Sequence, residues 1–428
     1  MSATASLVLP QSFSEAAKSV PLPPSRDPWY CAPEGFETAT PGTVLRLRIA
    51  PGNLITDILK NAASAAYNIL YRTTDSHDQP TWAVTTLFIP TTTLFMTPSE
   101  KKALVSYQFA YNSACVDTSP SYGFYGALSQ PVPSLNIPAS TDLLIQLLEK
   151  GWIVNSPDHE GPSAAFGASI QAGHATLDAL RAVVNVTDNM TGLGLGSLSI
   201  AMWGYSGGSM ATEAAAELQG AYAPDLSESI SGAVIGGLPD NISADFDLFN
   251  KTPLAGNLVS FILGVSAQYP AALAYVRSRL KPETTDEFLA ARGMTTGAVI
   301  RLFASRDIYG YFIGGAADLQ APPLKRVYER ECRLGHYGLP KMPMFLYKAV
   351  GDEFCPISRT EELVSRFCDA SVELTFERNT VGGHVSEIGN AKPRVFEWLA
   401  GIFDETYRTP PGGWSVRDVT VDVTGMST

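Results

Sequence analysis

Leu198-Ser-Ile-Ala-Met-Trp203 runs into Gly204-Tyr205-Ser206-Gly207-Gly208, and that into Ser209-Met-Ala-Thr-Glu-Ala-Ala-Ala-Glu217. An apolar run of strand length, a G-x-S-x-G pentapeptide and a segment of strong helix formers thus stand in that order. The order predicts a strand, a sharp turn and a helix, with Ser206 at the turn. A serine on so tight a turn is held in a strained backbone. Side chains on its flanks would collide, and Gly204 and Gly208 remove them. The turn lifts the Ser206 hydroxyl clear of the sheet edge. The helix behind it points N–H groups and a positive dipole end at the same place. No other G-x-S-x-G occurs in the chain.

Strands and helices alternate on either side of this turn. Apolar or alternating runs predict strands over 44–49, 66–72, 83–89, 103–110, 151–155, 230–236, 343–350 and 372–377. Asp75-Ser-His-Asp78 supplies a turn between the second and third, an antiparallel opening to the sheet. Helices are expected over 143–150, 173–184 and 393–406, with His384 in a loop before the last. The alternation predicts an α/β fold with a mostly parallel sheet covered on both faces. It stops between 240 and 335, where apolar Leu254–Val265 and the amphipathic 273–280 and 284–292 read as an inserted helical cap. The expected organisation is a surface segment 1–29, a first core part 30–239, the cap 240–335, and a second core part with a C-terminal tail, 336–428.

Composition narrows the function. The 428 residues are 45% hydrophobic and carry a net charge of -12. An acidic surface disfavours nucleic acid, anionic membranes and acidic substrates, and suits a neutral, apolar small molecule. No apolar run is long enough to form a transmembrane segment. Met1 to Pro10 has no basic residue before its apolar part, a poor secretory signal. Asn185, Asn189, Asn241 and Asn250 each begin an N-x-S/T sequon, which matters only in a secreted chain. The five cysteines, Cys31, Cys115, Cys332, Cys355 and Cys368, form no C-x-x-C and suggest neither zinc nor a disulfide framework.

A serine hydroxyl needs a base and an orienting acid, which on this type of sheet follow it in the order acid, then histidine. Of the five histidines only His336 and His384 follow Ser206. His336 precedes the strand 343–350, whose end should carry the acid. His384 lies past the last strand in Val381-Gly-Gly-His-Val-Ser386. At the end of 343–350 stand Gly351, Asp352 and Glu353. Asp352, being first, is the expected acid, with Glu353 as the alternative, Asp369 a remoter one, and the Glu353 side chain expected to point away from His384. Backbone N–H groups of Gly207 and Asn112 are the expected oxyanion donors. Asp158-His159-Glu160 lacks the spacing of a metal motif, and Gly192-Leu-Gly-Leu-Gly196 lacks that of a dinucleotide loop. No metal or cofactor is expected.

These residues resemble the secretory lipase family typified by Candida antarctica lipase A. The likeness rests on Asp27-Pro-Trp-Tyr30, Pro33-Glu-Gly-Phe36, Leu70-Tyr-Arg-Thr-Thr-Asp75, Ser119-Pro-Ser-Tyr122, Ser156-Pro-Asp-His-Glu-Gly-Pro162 and Gly173-His174, together with the elbow, Asp352 and Gly383-His384. It implies an α/β-hydrolase fold with a helical cap, a C-terminal flap and hydrolysis of hydrophobic esters. Where such lipases commonly carry Asp in the oxyanion loop, this chain has Asn112, whose amide adds a neutral donor. Where secreted members often carry a disulfide cysteine, it has Thr118, with Cys115 three residues earlier. With the poor signal sequence, this suggests an intracellular esterase, such as a deacetylase of a fungal secondary metabolite. Two alternatives use the same residues or scaffold. One is acyl transfer or cyclisation, with a substrate hydroxyl in place of water. The other is a non-catalytic ligand-binding protein.

Overall fold

The computed structural model describes residues 12–125, 137–189 and 197–423; residues 1–11 and the Gly192–Gly196 glycines lie outside them. Among the described residues there are ten strands: β1 Val44–Ile49, β2 Ala63–Thr74, β3 Pro80–Pro90, β4 Lys102–Gln108, β5 Ile153–Pro157, β6 Leu198–Tyr205, β7 Ile230–Gly236, β8 Met344–Ala349, β9 Leu374–Asn379 and β10 Trp414–Val419. They form one sheet in the order β1-β2-β3-β5-β4-β6-β7-β8-β9-β10. The first three are antiparallel, and β3 meets β5 antiparallel. Every later pairing is parallel. The expected turn at Asp75 is built by its own side chain, which accepts from the N–H groups of His77 and Gln79, both at 2.8 Å.

Strand β6 sits in the middle, and every one of its residues is buried. Its side chains alternate between two cores, as a strand's period of two requires. Ile200 and Met202 face the core shared with Met210 and Ala214 of the helix Gly207–Tyr222. Ala201 and Trp203 face the core shared with Val395 and Leu399 on the other side. Fully burying each of the larger side chains contributes about 1.5–3 kcal/mol. The helix after Ser206 is rich in alanine because it packs closely on the helix Ser169–Asn189. A methyl at Gly173 of that helix would lie 2.9 Å from the Ala214 carbonyl carbon.

Between β7 and β8 the chain is mainly helical, with Gly256–Ala267, Pro270–Arg279, Pro282–Ala290, Thr296–Phe303 and Pro322–Glu331. The first is apolar on nearly all sides and is buried accordingly. Its Gly264 is pressed against the backbone of Phe166, 2.7 Å from where a Cβ would stand.

Two expectations change at the C-terminal end. The last helix begins at His384, not near Pro393, and runs to Phe403 with Pro393 inside it. Proline marks helix starts because it lacks an N–H, and read locally it misplaced this one. The true start is capped by contacts from elsewhere, described below. The C-terminal segment, expected as a tail, carries a further strand. Residues 414–419 add β10 in parallel to β9, and Val421 and Val423 then dock through Asn379 and Asn390.

Candidate active site

Ser206 follows β6 directly and has φ 53° and ψ -129°, a backbone conformation that side chains rarely adopt. Its N–H donates to the Gly236 carbonyl of β7 at 2.9 Å, which locks the turn. The flanking glycines are required by space. A methyl at Gly204 would lie 2.3 Å from the Gly208 carbonyl oxygen, and one at Gly208 would lie 1.9 Å from that of Gln108. Tyr205, between Gly204 and the serine, donates its hydroxyl to the His384 carbonyl at 2.5 Å. The elbow thereby also holds the chain that carries the histidine.

Ser206, His384 and Asp352 come together although the outer two are 146 residues apart in sequence. The Ser206 Oγ is 2.8 Å from His384 Nε2, and His384 Nδ1 is 2.8 Å from Asp352 Oδ2. All three emerge at the carboxyl edge of the sheet, where β6, β8 and β9 end. The Asp352 side chain is only 1% exposed. Burial alone would raise its pKa, but the bond and charge of His384, with help from Lys348 and the Cys355 N–H, bring it below the usual carboxylate value. Its Oδ1 accepts from the N–H groups of Phe354 at 3.1 Å and Cys355 at 2.9 Å. The carboxylate is thus ionised and fixed, suited to hold His384 with its Nδ1 protonated and its Nε2 free to take a proton.

Glu353 does not point away from His384, as expected, and does not touch its ring either. Its Oε2 accepts from the His384 backbone N–H at 2.9 Å. It thus caps the first turn of the helix His384–Phe403 and places a negative charge at the positive end of that helix. Ser386 completes the cap by accepting from the Gly383 N–H at 2.9 Å.

Asn112 follows β4 and has φ 47°. It lies against Gly207, where a methyl would stand 2.0 Å from Asn112 Oδ1. Gly207 and Asn112 are therefore neighbours, and the loop that carries Asn112 is held beside Glu160, whose carboxyl takes the Ser113 N–H at 3.2 Å. Asn112 lines the cavity above Ser206, and its Oδ1 is buried without a hydrogen-bond partner among the described residues.

That cavity has a volume of about 320 Å³. Its walls are mostly apolar, from Phe166, Ile242, Phe249, Leu258 and Phe354 among others, and Ser206, Gly207 and His384 form its floor. Leu254, Leu258, Thr296 and Ile300 come from the helical segment between β7 and β8. Sequence reading singled out Leu254–Val265 for its apolarity but missed Thr296, which carries no local signal and is marked only by its contact with the Tyr111 carbonyl at 2.5 Å.

Asp158, His159 and Glu160 point three ways. Asp158 accepts from the Ser121 N–H at 2.8 Å and its hydroxyl at 2.5 Å. His159 packs edge-on against Tyr111, and burial pushes its pKa down to about 3, so it stays neutral. Among the described residues, the one group of His, Cys, Asp and Glu close enough to share an ion is Asp352, Cys355 and His384, with donor atoms within 4.8 Å of one another. Two of its members are already bonded to each other. The described cysteines are all free thiols, and His336 is exposed and remote from the serine.

The family model for secretory lipases matches residues 128–409. The Stachybotrys chartarum protein named probable trichothecene esterase SAT6 is 50% identical over 403 residues, which cover 94% of this chain and 81% of that one. The trichothecene C-3 esterase of Fusarium sporotrichioides is 43% identical over 422 residues, covering 96% and 91%. Among solved structures, Candida antarctica lipase A superposes with a TM-score of 0.83 at 25% identity, covering 96% of this chain and 92% of that one. No described helix is long and apolar enough to cross a membrane.

Proposed function

The chain belongs to the secretory lipase family and is a carboxylic-ester hydrolase of the α/β-hydrolase fold; from that premise we propose that it cleaves a short acyl group, such as acetyl, from a neutral, bulky and oxygenated alcohol through an acyl-enzyme on Ser206. The observation that carries this reading is the unbroken series Asp352–His384–Ser206, with two bonds of 2.8 Å. His384 takes the Ser206 proton as Oγ attacks the ester carbonyl, and returns it to the leaving alcohol. Asp352 keeps the ring oriented and stabilises its charged form. Water, activated by the same histidine, then releases the acid. No cofactor takes part. Residues 240–335 act as the cap over the site, since seven cavity-lining residues come from them.

The oxyanion is held by the Gly207 N–H and, in our reading, by the Asn112 side-chain amide in place of its backbone N–H. An isosteric exchange tests this. Asn112→Asp puts a carboxyl where the amide stood. Protonated, it donates as the amide does; ionised, it repels the oxyanion. At pH values where the new carboxyl is ionised, the variant should therefore lose about 10²–10³-fold in kcat, the cost of one oxyanion donor. It should recover part of that as the pH falls through the new carboxyl's pKa. If the backbone N–H were the donor, a pH–rate profile would leave the variant close to the wild type throughout.

The acyl preference follows from the cavity. Sites for drug-sized ligands span roughly 300–1,000 Å³, so a volume of about 320 Å³ suits a compact molecule better than a long acyl chain plus its alcohol. Two relatives are named as trichothecene esterases, and an acetylated trichothecene is a compact ester of the kind proposed. Turnover of p-nitrophenyl esters of increasing chain length should peak at acetate or butyrate, with no gain from an oil–water interface. A maximum at long chains with interfacial activation would make the protein a lipase in the narrower sense.

A further inference from the structure

We propose that Glu160 is a positioning residue for the reaction: it fixes the loop after β4 by accepting from the Ser113 backbone N–H and by donating its own N–H to the Tyr111 hydroxyl, and so aims the Asn112 side chain at the oxyanion. This rests on the Ser206 mechanism above and adds a residue that never meets the substrate. Glu160 is 2% exposed and is absent from the cavity wall.

The loop Ala110–Ser113 lies beyond the end of β4, where no neighbouring strand can hold it. Asn112 adopts a left-handed backbone there, a conformation that asparagine tolerates but does not seek. The Glu160 carboxyl packs against that turn, accepting from the Ser113 N–H at 3.2 Å, and burial pushes its pKa well above the usual carboxylate value. The same residue grips the loop a second time, because its backbone N–H donates to the Tyr111 hydroxyl at 2.6 Å. Glu160 reaches the loop because β5, which precedes it, is the sheet neighbour of β4. From the opposite side, Thr296 donates to the Tyr111 carbonyl. With Glu160 in place, the Ser113 backbone donor is engaged. If the acceptor is withdrawn, this buried N–H loses its partner, and the left-handed turn beside it loses a bond that holds it.

The test is a double-mutant cycle. The singles are Asn112→Ala and Glu160→Asp, which keeps a carboxyl but retracts it by one methylene. Rates are measured with p-nitrophenyl acetate and divided by the end-point titre of phosphonate-reactive sites, so misfolded protein does not count. Glu160→Asp alone should lower kcat per site about 10–100-fold with KM within about 3-fold. In the Asn112→Ala background the same change should cost less than about 3-fold, since the donor it positions is already gone. Glu160→Gln, which keeps an acceptor at full reach, should retain more kcat than Glu160→Asp. If Glu160→Asp fails to fold, Glu160→Gln serves in the same cycle, and its loss must again vanish beside Asn112→Ala. Additive losses, or a loss of titratable sites with kcat per site unchanged, would mean that Glu160 is merely structural. A wild-type enzyme that turns over ester but takes up no phosphonate would instead remove the Ser206 mechanism, a separate result.

Discussion

Ser206→Ala and His384→Ala should each lower kcat by about a million-fold, and the double variant should be hardly worse than either. The reason is geometric. Ser206 Oγ and His384 Nε2 are 2.8 Å apart, close enough for the proton to leave as the new bond forms, and neither group serves without the other. Residues that act as one unit lose nearly everything with the first removal, typically about 10⁶ in kcat. What remains is the contribution of the oxyanion donors and the cavity. Both variants should fold, because neither hydroxyl nor imidazole carries the local structure. The serine turn is held by its backbone bond to Gly236 and the histidine helix by Glu353 and Ser386. Steady-state kinetics on a short ester, with circular dichroism as a fold control, reads the effect. Losses of about 10³ each that multiply in the double variant would show two independent contributions and no relay.

The second large effect separates two adjacent carboxylates. Asp352→Asn should cost about 10⁴-fold in kcat, because an amide at this place favours the wrong tautomer of the imidazole and cannot stabilise its charged form. Glu353→Gln should stay within about 10-fold. Its carbonyl still accepts the His384 N–H, so what is lost is the interaction of a charge with a helix end, about 0.3–1 kcal/mol. The pair thus tests which acid faces the ring. If Glu353→Gln were the crippling change, the bond between Asp352 and His384 would not be the one that matters in turnover.

The main parts of the fold and site were legible in the sequence for reasons that can be named. Ser206 announced itself because its constraint is local: a strand, glycines where side chains would clash, and a helix, all within twenty residues. Asp352 could be found because it stands directly at the end of a strand. His384 was found by elimination among five histidines. Expectations went astray where a distant residue does the work. The last helix starts at His384 because Glu353, 31 positions earlier, caps it, and Pro393, the strongest local signal, misled. The loop after β4 is tied at the Ser113 N–H by Glu160, which the sequence offered only as part of a discarded metal cluster. Thr296 meets the oxyanion loop across 185 residues, and no periodicity records such a contact. The segment 414–419 has the alternation of a strand, but its pairing with β9 depends on an edge left open by the rest of the sheet.

A serine hydrolase mechanism stands or falls with the covalent bond, so peptide mapping after treatment with a fluorophosphonate tests it most directly. One phosphonyl group per chain should be found, on Ser206 and nowhere else, with ester hydrolysis lost in proportion; Ser206→Ala should take up none. A chain that goes on hydrolysing its ester with Ser206 unmodified, or that carries the label on another residue, would contradict the account.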